Sequence, residues 1–160
     1  MFFDEEWTTN VDIRLFTDAS YDSFGAFYND SWISEPFSEV DQAKDITWKE
    51  LYAIVSACST WGHLLMRKRL LLYCDNLAVV NIINNGSSKK TDLMILMRTL
   101  FYICAKYNIE CSASHIAGVR NGIADALSRR QLVRFRLLAP NADQDRTQLV
   151  KPHEQYELSF

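Results

Sequence analysis

The order of its apolar segments constrains this chain more than any single residue does. Before residue 37, three short β-prone runs follow one another; from residue 47 to residue 130, helical and extended patterns alternate. The first run, residues 13–17, stops at the turn-like Asp18-Ala19-Ser20. The next two, residues 24–28 and 31–34, flank Asn29-Asp30, a two-residue turn signal, and read as an antiparallel hairpin. Residues 35–46 read as an acidic loop. A helix then begins near Thr47, with Trp48, Leu51, Val55, Cys58 and Leu65 near helical spacing. Residues 69–74 carry three leucines and read as a strand buried on both faces. A short helix over 77–83 stops at Asn84-Asn85-Gly86, and a longer one over 91–106 aligns Leu93, Leu96, Leu100 and Ile103. A strand over 109–115, a loop over 117–122 and a helix over 123–130 complete the pattern.

Three consecutive strands pair as an antiparallel meander. Strands entered through helices lie parallel to the first, by right-handed crossovers. The expected fold class is therefore α/β: a mixed five-stranded sheet, three antiparallel strands then two parallel additions, flanked by helices. Residues 1–10 read as a lead-in, 11–130 as the domain, and 131–160, polar after Pro140, as a C-terminal extension or linker.

At 160 residues and 48% hydrophobic content the chain has material for one sizeable core. It contains no apolar run of about 18 residues, so no membrane span is expected. Met1-Phe2-Phe3-Asp4-Glu5-Glu6 lacks the basic-then-apolar order of a secretory signal. An intracellular protein of cytoplasm or nucleus is expected. Cys58, Cys74, Cys104 and Cys111 form no Cys-x-x-Cys pair and read as free thiols in apolar surroundings. The net charge of −3 hides a split: residues 1–50 hold twelve acids and three bases, residues 51–136 four acids and twelve bases. One reading is a basic side for phosphate contact. The other takes Arg67-Lys68-Arg69 and Lys89-Lys90 as solvated turn residues.

Open α/β sheets place ligands at the carboxyl ends of adjacent parallel strands. Asp18 ends the first strand and Asp75 the fourth; Glu50 and Asp125 lie on the first turns of two helices. Four converging carboxylates repel one another, and hard divalent cations relieve that repulsion. Two such ions roughly 4 Å apart can activate water and stabilise a leaving oxygen in phosphodiester hydrolysis. Each acid also has a structural reading. Asp18 can bond its own turn, and Glu50 completes a capping box with Thr47. Asp75 can cap the following helix, and Asp125 can sit favourably near a helix's positive end.

The segments Phe16-Thr17-Asp18-Ala19-Ser20, Trp48-Lys49-Glu50-Leu51, Tyr73-Cys74-Asp75-Asn76, His115-Ile116-Ala117-Gly118 and Ala124-Asp125-Ala126-Leu127-Ser128-Arg129 occur in this order. Together they resemble the ribonuclease H domains of retrotransposon reverse transcriptases over about residues 11 to 140. Asp75-Asn76-Leu77-Ala78-Val79-Val80 and Phe135-Arg136-Leu137-Leu138-Ala139-Pro140 resemble DIRS-like elements most, gypsy-like elements next. The resemblance implies a metal-dependent endonuclease that cuts the RNA strand of RNA–DNA hybrids with two Mg2+ ions, Mn2+ substituting. It implies that Asp18 bridges both ions and that Asp125 completes the site of the ion activating water. Glu50 and Asp75 would hold the ion near the leaving group. His115 matches a loop histidine that assists proton transfer or product release; its other reading is a shaper of the strand end. Asn121 also stands at a family position, and Asn76, Lys89, Lys90 and Arg120 join it as candidate substrate contacts.

Nothing between Asn76 and Ile109 resembles the extra basic substrate-gripping helix of some cellular ribonucleases H. Lys89, Lys90, Arg98 and Arg120 compensate in part, and a reverse transcriptase polymerase domain in the parent polyprotein is the expected partner. Transposase or integrase cores end their acidic set with glutamate, whereas Asp125 stands here. Proofreading exonucleases open with Asp-x-Glu, whereas Ser20 follows Asp18-Ala19. The rival from another class is a catalytically silent, retroelement-derived domain that binds nucleic acid or protein.

Overall fold

The first apolar run becomes β1 (Ile13–Ala19), followed by β2 (Ser23–Tyr28) and β3 (Ser31–Pro36). The structure is a computed structural model and describes residues 13–153; the expected lead-in, residues 1–10, lies outside the described residues. Asn29 and Asp30 adopt φ of 47° and 68°, as a two-residue hairpin turn requires. Their geometry sets the Tyr28↔Ser31 register. Helix α1 (Glu39–Gln42) interrupts the stretch expected to be an acidic loop. The Ser38 hydroxyl caps it by accepting from the Asp41 N–H. With no buried residue on it, α1 leaves no apolar stripe to read.

Helix α2 (Ile46–Trp61) begins one residue before Thr47, because Asp45 is its cap and accepts from the Trp48 N–H at 2.9 Å. Strand β4 (Arg69–Cys74) follows, then α3 (Leu77–Asn85), α4 (Thr91–Tyr107), β5 (Glu110–His115), α5 (Gly122–Ser128) and α6 (Leu132–Leu138). Helix α3 ends on Gly86 at φ 78°, the left-handed cap that glycine adopts without strain.

The sheet order is β3-β2-β1-β4-β5. β1–β2 and β2–β3 are antiparallel; β1–β4 and β4–β5 are parallel. This is the mixed five-stranded sheet expected from the order of apolar segments. One face carries Leu15, Phe24, Ala26, Ile33, Leu70 and Leu72, packed with α2, α3 and α4 into the larger core. Burying each large aliphatic side chain contributes about 2 kcal/mol. The exposed ion pairs contribute less than about 1 kcal/mol each, so this face dominates stability. The other face carries Phe27 and Trp32, packed with Leu127 of α5 and Phe135 of α6.

Residues 131–160 were expected to be an extension or linker, and the described part of that stretch is firmly attached. Phe135 is buried, the Trp32 indole donates to the Asp143 carbonyl at 2.7 Å, and the Val150 N–H donates to the Thr60 hydroxyl at 3.0 Å. The polar composition after Pro140 hid these backbone attachments. At the far edge, the Asn84 side-chain amide exchanges two hydrogen bonds with the Ala113 backbone, both at 2.9 Å, and so pairs part of the exposed edge of β5. Among the described residues no helix is long and apolar enough to cross a membrane, and the four cysteines are free thiols.

Candidate metal centre

The parallel pairing of β1 with β4 brings Asp18 and Asp75 to one end of the sheet. Glu50 enters from α2 and Asp125 from α5. All four line one open cleft of about 500 Å³, together with Asn76 and Arg129. Glu50 lies in the second turn of α2, after a cap supplied by Asp45, so the capping-box reading with Thr47 does not hold. Asp75 is not a cap either: Asn76 caps α3, its side chain accepting from the Val79 N–H at 3.2 Å. Two acids thus lose their structural explanations and stand in the cleft without them.

Close packing seats Asp125. A Cβ on Gly25 of β2 would collide with the Leu127 Cβ, so only glycine lets α5 lie this near the sheet. Ser128, fully buried at the end of α5, donates from its hydroxyl to Asp18 Oδ2 at 2.8 Å. Lys49, beside Glu50 and only 3% exposed, donates to the Tyr21 carbonyl at 2.6 Å and pins the loop that follows Asp18. Asn121, also buried, donates to the Thr17 carbonyl at 3.0 Å and fixes the strand just before Asp18.

The electrostatics are those of crowded carboxylates. Burial, then the charge of Asp75, raises Asp18 to about 6, against the pull of the Ser128 hydrogen bond. Burial, followed by the charges of Asp18 and Asp75, pushes Glu50 up to about 10. Glu50 is therefore protonated at neutral pH and hydrogen-bonded to Asp18. Burial also raises Asp75, a shift that nearby Asp125 reinforces and His115 opposes. Cys74, its thiol 3.8 Å from Glu50 Oε2, is held firmly in the neutral form by burial and then by Glu50. Asp125 behaves oppositely. Its partial burial raises it, but hydrogen bonds from Arg134 and Arg129 outweigh that and leave it low.

Donor atoms of Glu50, Cys74 and Asp75 lie within 4.8 Å of one another. With Cys74 neutral, the available ligands are carboxylate oxygens. A hard divalent cation such as Mg2+ or Mn2+ fits that donor set, and its charge would discharge the protons the acids now share.

The other candidates are distributed unevenly. His115 is exposed at the end of β5, paired in register with Cys74 and close enough to influence Asp75. Lys90 reaches to 3.9 Å from Asp45 at the start of α2, while Lys89 and Arg98 are exposed. Arg120 and Asn121 line a separate apolar cavity of about 380 Å³ with Phe16, Phe27, Ile123 and Leu138. They are not lining residues of the acidic cleft. Sequence reasoning passed over Ser128, Arg129 and Arg134. Arg129 was legible as an i,i+4 partner of Asp125; Arg134 sits on α6, in the stretch read as extension.

A mixed sheet of this order, with acids gathered at the ends of β1 and β4, defines a ribonuclease H-like domain. A family model described as the RNase H-like domain found in reverse transcriptase matches residues 8–103, and the chain belongs to that family. No curated protein matches it. Among solved structures, LC11-RNase H1 in complex with an RNA/DNA hybrid, an enzyme isolated from compost, superposes with a TM-score of 0.62 at 17% identity, covering 74% of this chain and 95% of that one. RNase H1 of the halophilic archaeon Halobacterium salinarum NRC-1 gives 0.58 at 15%, covering 77% and 98%. The N-terminal RNase H domain of a Mycobacterium tuberculosis protein gives 0.52 at 13%, covering 80% and 99%. At such identities the likeness is one of fold. The family match ends before β5, so the placement of His115 and Asp125 rests on the geometry.

Proposed function

We propose that this domain is a ribonuclease H, hydrolysing the RNA strand of RNA–DNA hybrids with two divalent cations, Mg2+ or Mn2+. The observation that carries the reading is the convergence of Asp18, Glu50, Asp75 and Asp125 on one cleft. The hybrid in the complex of LC11-RNase H1 supports the substrate class. Family membership supports a reverse transcriptase as the parent protein, with its polymerase part as partner. Its retrotransposon origin, DIRS-like before gypsy-like, rests on the motifs, as does action in cytoplasm or nucleus.

Asp18, Glu50, Asp75 and Asp125 would hold the cations, which when bound lower the pKa of water and offset charge on the departing oxygen. Ser128 orients the Asp18 carboxylate, and Lys49 and Asn121 fix the backbone on either side of it. Glu50, raised to about 10 by burial and neighbouring carboxylates, would release its proton to solvent when the cations bind. His115, exposed at the end of β5 and close enough to influence Asp75, would carry a proton to or from the cleft. Lys89 and Lys90 lie at the turn leading into α4, and Asn76 lines the cleft while capping α3.

The test is cleavage of a labelled RNA–DNA hybrid by the purified domain, alone and joined to its polymerase portion. RNA-strand cleavage that needs Mg2+ or Mn2+ is expected. Asp18→Asn and Asp75→Asn should each lower the rate about 100-fold or more with the fold retained. Cleavage insensitive to chelator would overturn the two-cation mechanism, and none even with the polymerase portion attached would leave the silent binding domain as the reading.

A further inference from the structure

Asp125 differs from the other three acids in having both carboxylate oxygens held by arginine side chains. Arg129 Nε donates to Oδ1 at 3.0 Å, and Arg134 donates to Oδ2 at 2.7 Å. Arg134 comes from α6 and is steadied by Gln131, whose side-chain oxygen accepts from it at 3.0 Å. Glu50, Cys74 and Asp75 form the compact group of donor atoms, without Asp125. Arg129 also lines the cleft itself.

We propose that Arg129 and Arg134 form a clamp that competes with the divalent cation for Asp125, so that α6 sets the metal affinity of the site. This rests on the reading of the cleft as a metal centre. The physical argument is exchange. A cation bound by Asp125 must take at least one oxygen now held by a charge-assisted hydrogen bond. It must also approach two guanidinium groups of its own sign. Arginine cannot relieve either cost by losing a proton, because it stays charged at any working pH. Both guanidiniums are about half exposed, 58% and 44%, so each can swing into water rather than being trapped. The clamp is thus strong enough to hold the free carboxylate and loose enough to release it.

A merely structural role gives a different expectation. If the pairs serve only to brace the end of α5 and join it to α6, removing one lowers thermal stability and leaves metal affinity unchanged.

The experiment is titration calorimetry with Mn2+ on the full chain, without nucleic acid. Thermal melts in chelator and in Mn2+ accompany it. Arg134→Gln and Arg129→Gln should each bind Mn2+ about three- to ten-fold more tightly than wild type. Arg134→Lys, which keeps the charge but loses the planar fork, should fall between. The melting temperature gained on adding Mn2+ should grow in the same order. Asp125→Asn should weaken binding. Unchanged or weaker Mn2+ affinity in both glutamine variants, with Asp125→Asn still weakening it, would overturn the clamp and leave the metal centre standing. Binding indifferent to Asp125→Asn would overturn the clamp and remove Asp125 from the ligand set, while the effects of Asp18→Asn and Asp75→Asn report on the rest of the centre.

Discussion

At the scale of single residues, the carboxylate cluster is held together by protons that the proposed cations would displace. Glu50 and Asp18 have folded-state values raised to about 10 and about 6, from ordinary values of 4.5 and 3.8. The folded protein therefore binds more protons than the unfolded chain across that window. Stability from this source is complete below about pH 4 and is lost as pH rises through 6 toward 10. The displacement of Asp18 alone corresponds to roughly 3 kcal/mol. Asp125, held low, contributes in the opposite direction at acid pH, but its arginine partners are half exposed and its share is small. In chelator, the melting temperature should fall between pH 5 and pH 8, and Glu50→Gln should flatten that fall. A melt whose midpoint climbs over the same range would contradict the shared-proton arrangement. Asp75→Asn should likewise raise the chelator melting temperature, by relieving repulsion at the site. A clear loss instead would mark Asp75 as structural. These acids were legible in sequence as turn or cap residues as readily as ligands. Side-chain position decided between the readings: Asp45 caps α2 and Asn76 caps α3, which frees Glu50 and Asp75 for the cleft.

At the scale of elements, the strands were legible because each carries its own apolar period and its own stops. Asn29-Asp30 specified a turn that only one hairpin register satisfies. Helices α1 and α6 were not legible, for different physical reasons. α1 buries nothing, so only the Ser38 cap marks it. α6 follows immediately on α5 and buries chiefly Phe135, too narrow a stripe to stand out. The packing of α5 on β2 was equally invisible, since nothing local to Gly25 announces that a helix crosses over it. Gly25→Ala forces backbone apart where a Cβ would meet Ser128 N at 2.8 Å. It should cost about 2–3 kcal/mol and shift Asp125 from the cleft. A drop in both melting temperature and Mn2+ affinity is the expected result, whereas wild-type values for both would show that α5 tolerates displacement.

At the scale of the whole molecule, the two halves of the chain have opposite charge, and the fold decides how much of the basic half is available. Residues 51–136 carry twelve bases against four acids. Arg129 and Arg134 are committed to Asp125, Arg136 donates to the carbonyls of Ala142 and Asp143, and Arg130 donates to the Ser34 carbonyl. Lys90 faces Asp45, which leaves Lys89, Arg98 and Arg120 among the exposed bases, and Arg120 belongs to the apolar cavity rather than the cleft. A charge count read from sequence therefore overstates the phosphate-binding surface, because much of it is spent inside the fold. Each phosphate neutralised by the protein adds about one to the slope of log affinity against log salt. Few cations stand near the cleft, so hybrid binding by the isolated domain should show a slope no steeper than about −3. Lys90→Ala should make it shallower by about one if Lys90 leaves Asp45 for phosphate. Joined to the polymerase portion proposed as its partner, the domain should show a steeper slope and tighter binding, measured by fluorescence anisotropy across a salt series. An equally steep slope in the isolated domain would mean that the arginines bound to Asp125 and to the carbonyls around Ala142 release to the nucleic acid. It would place substrate grip in α5 and α6 instead of the proposed polymerase partner.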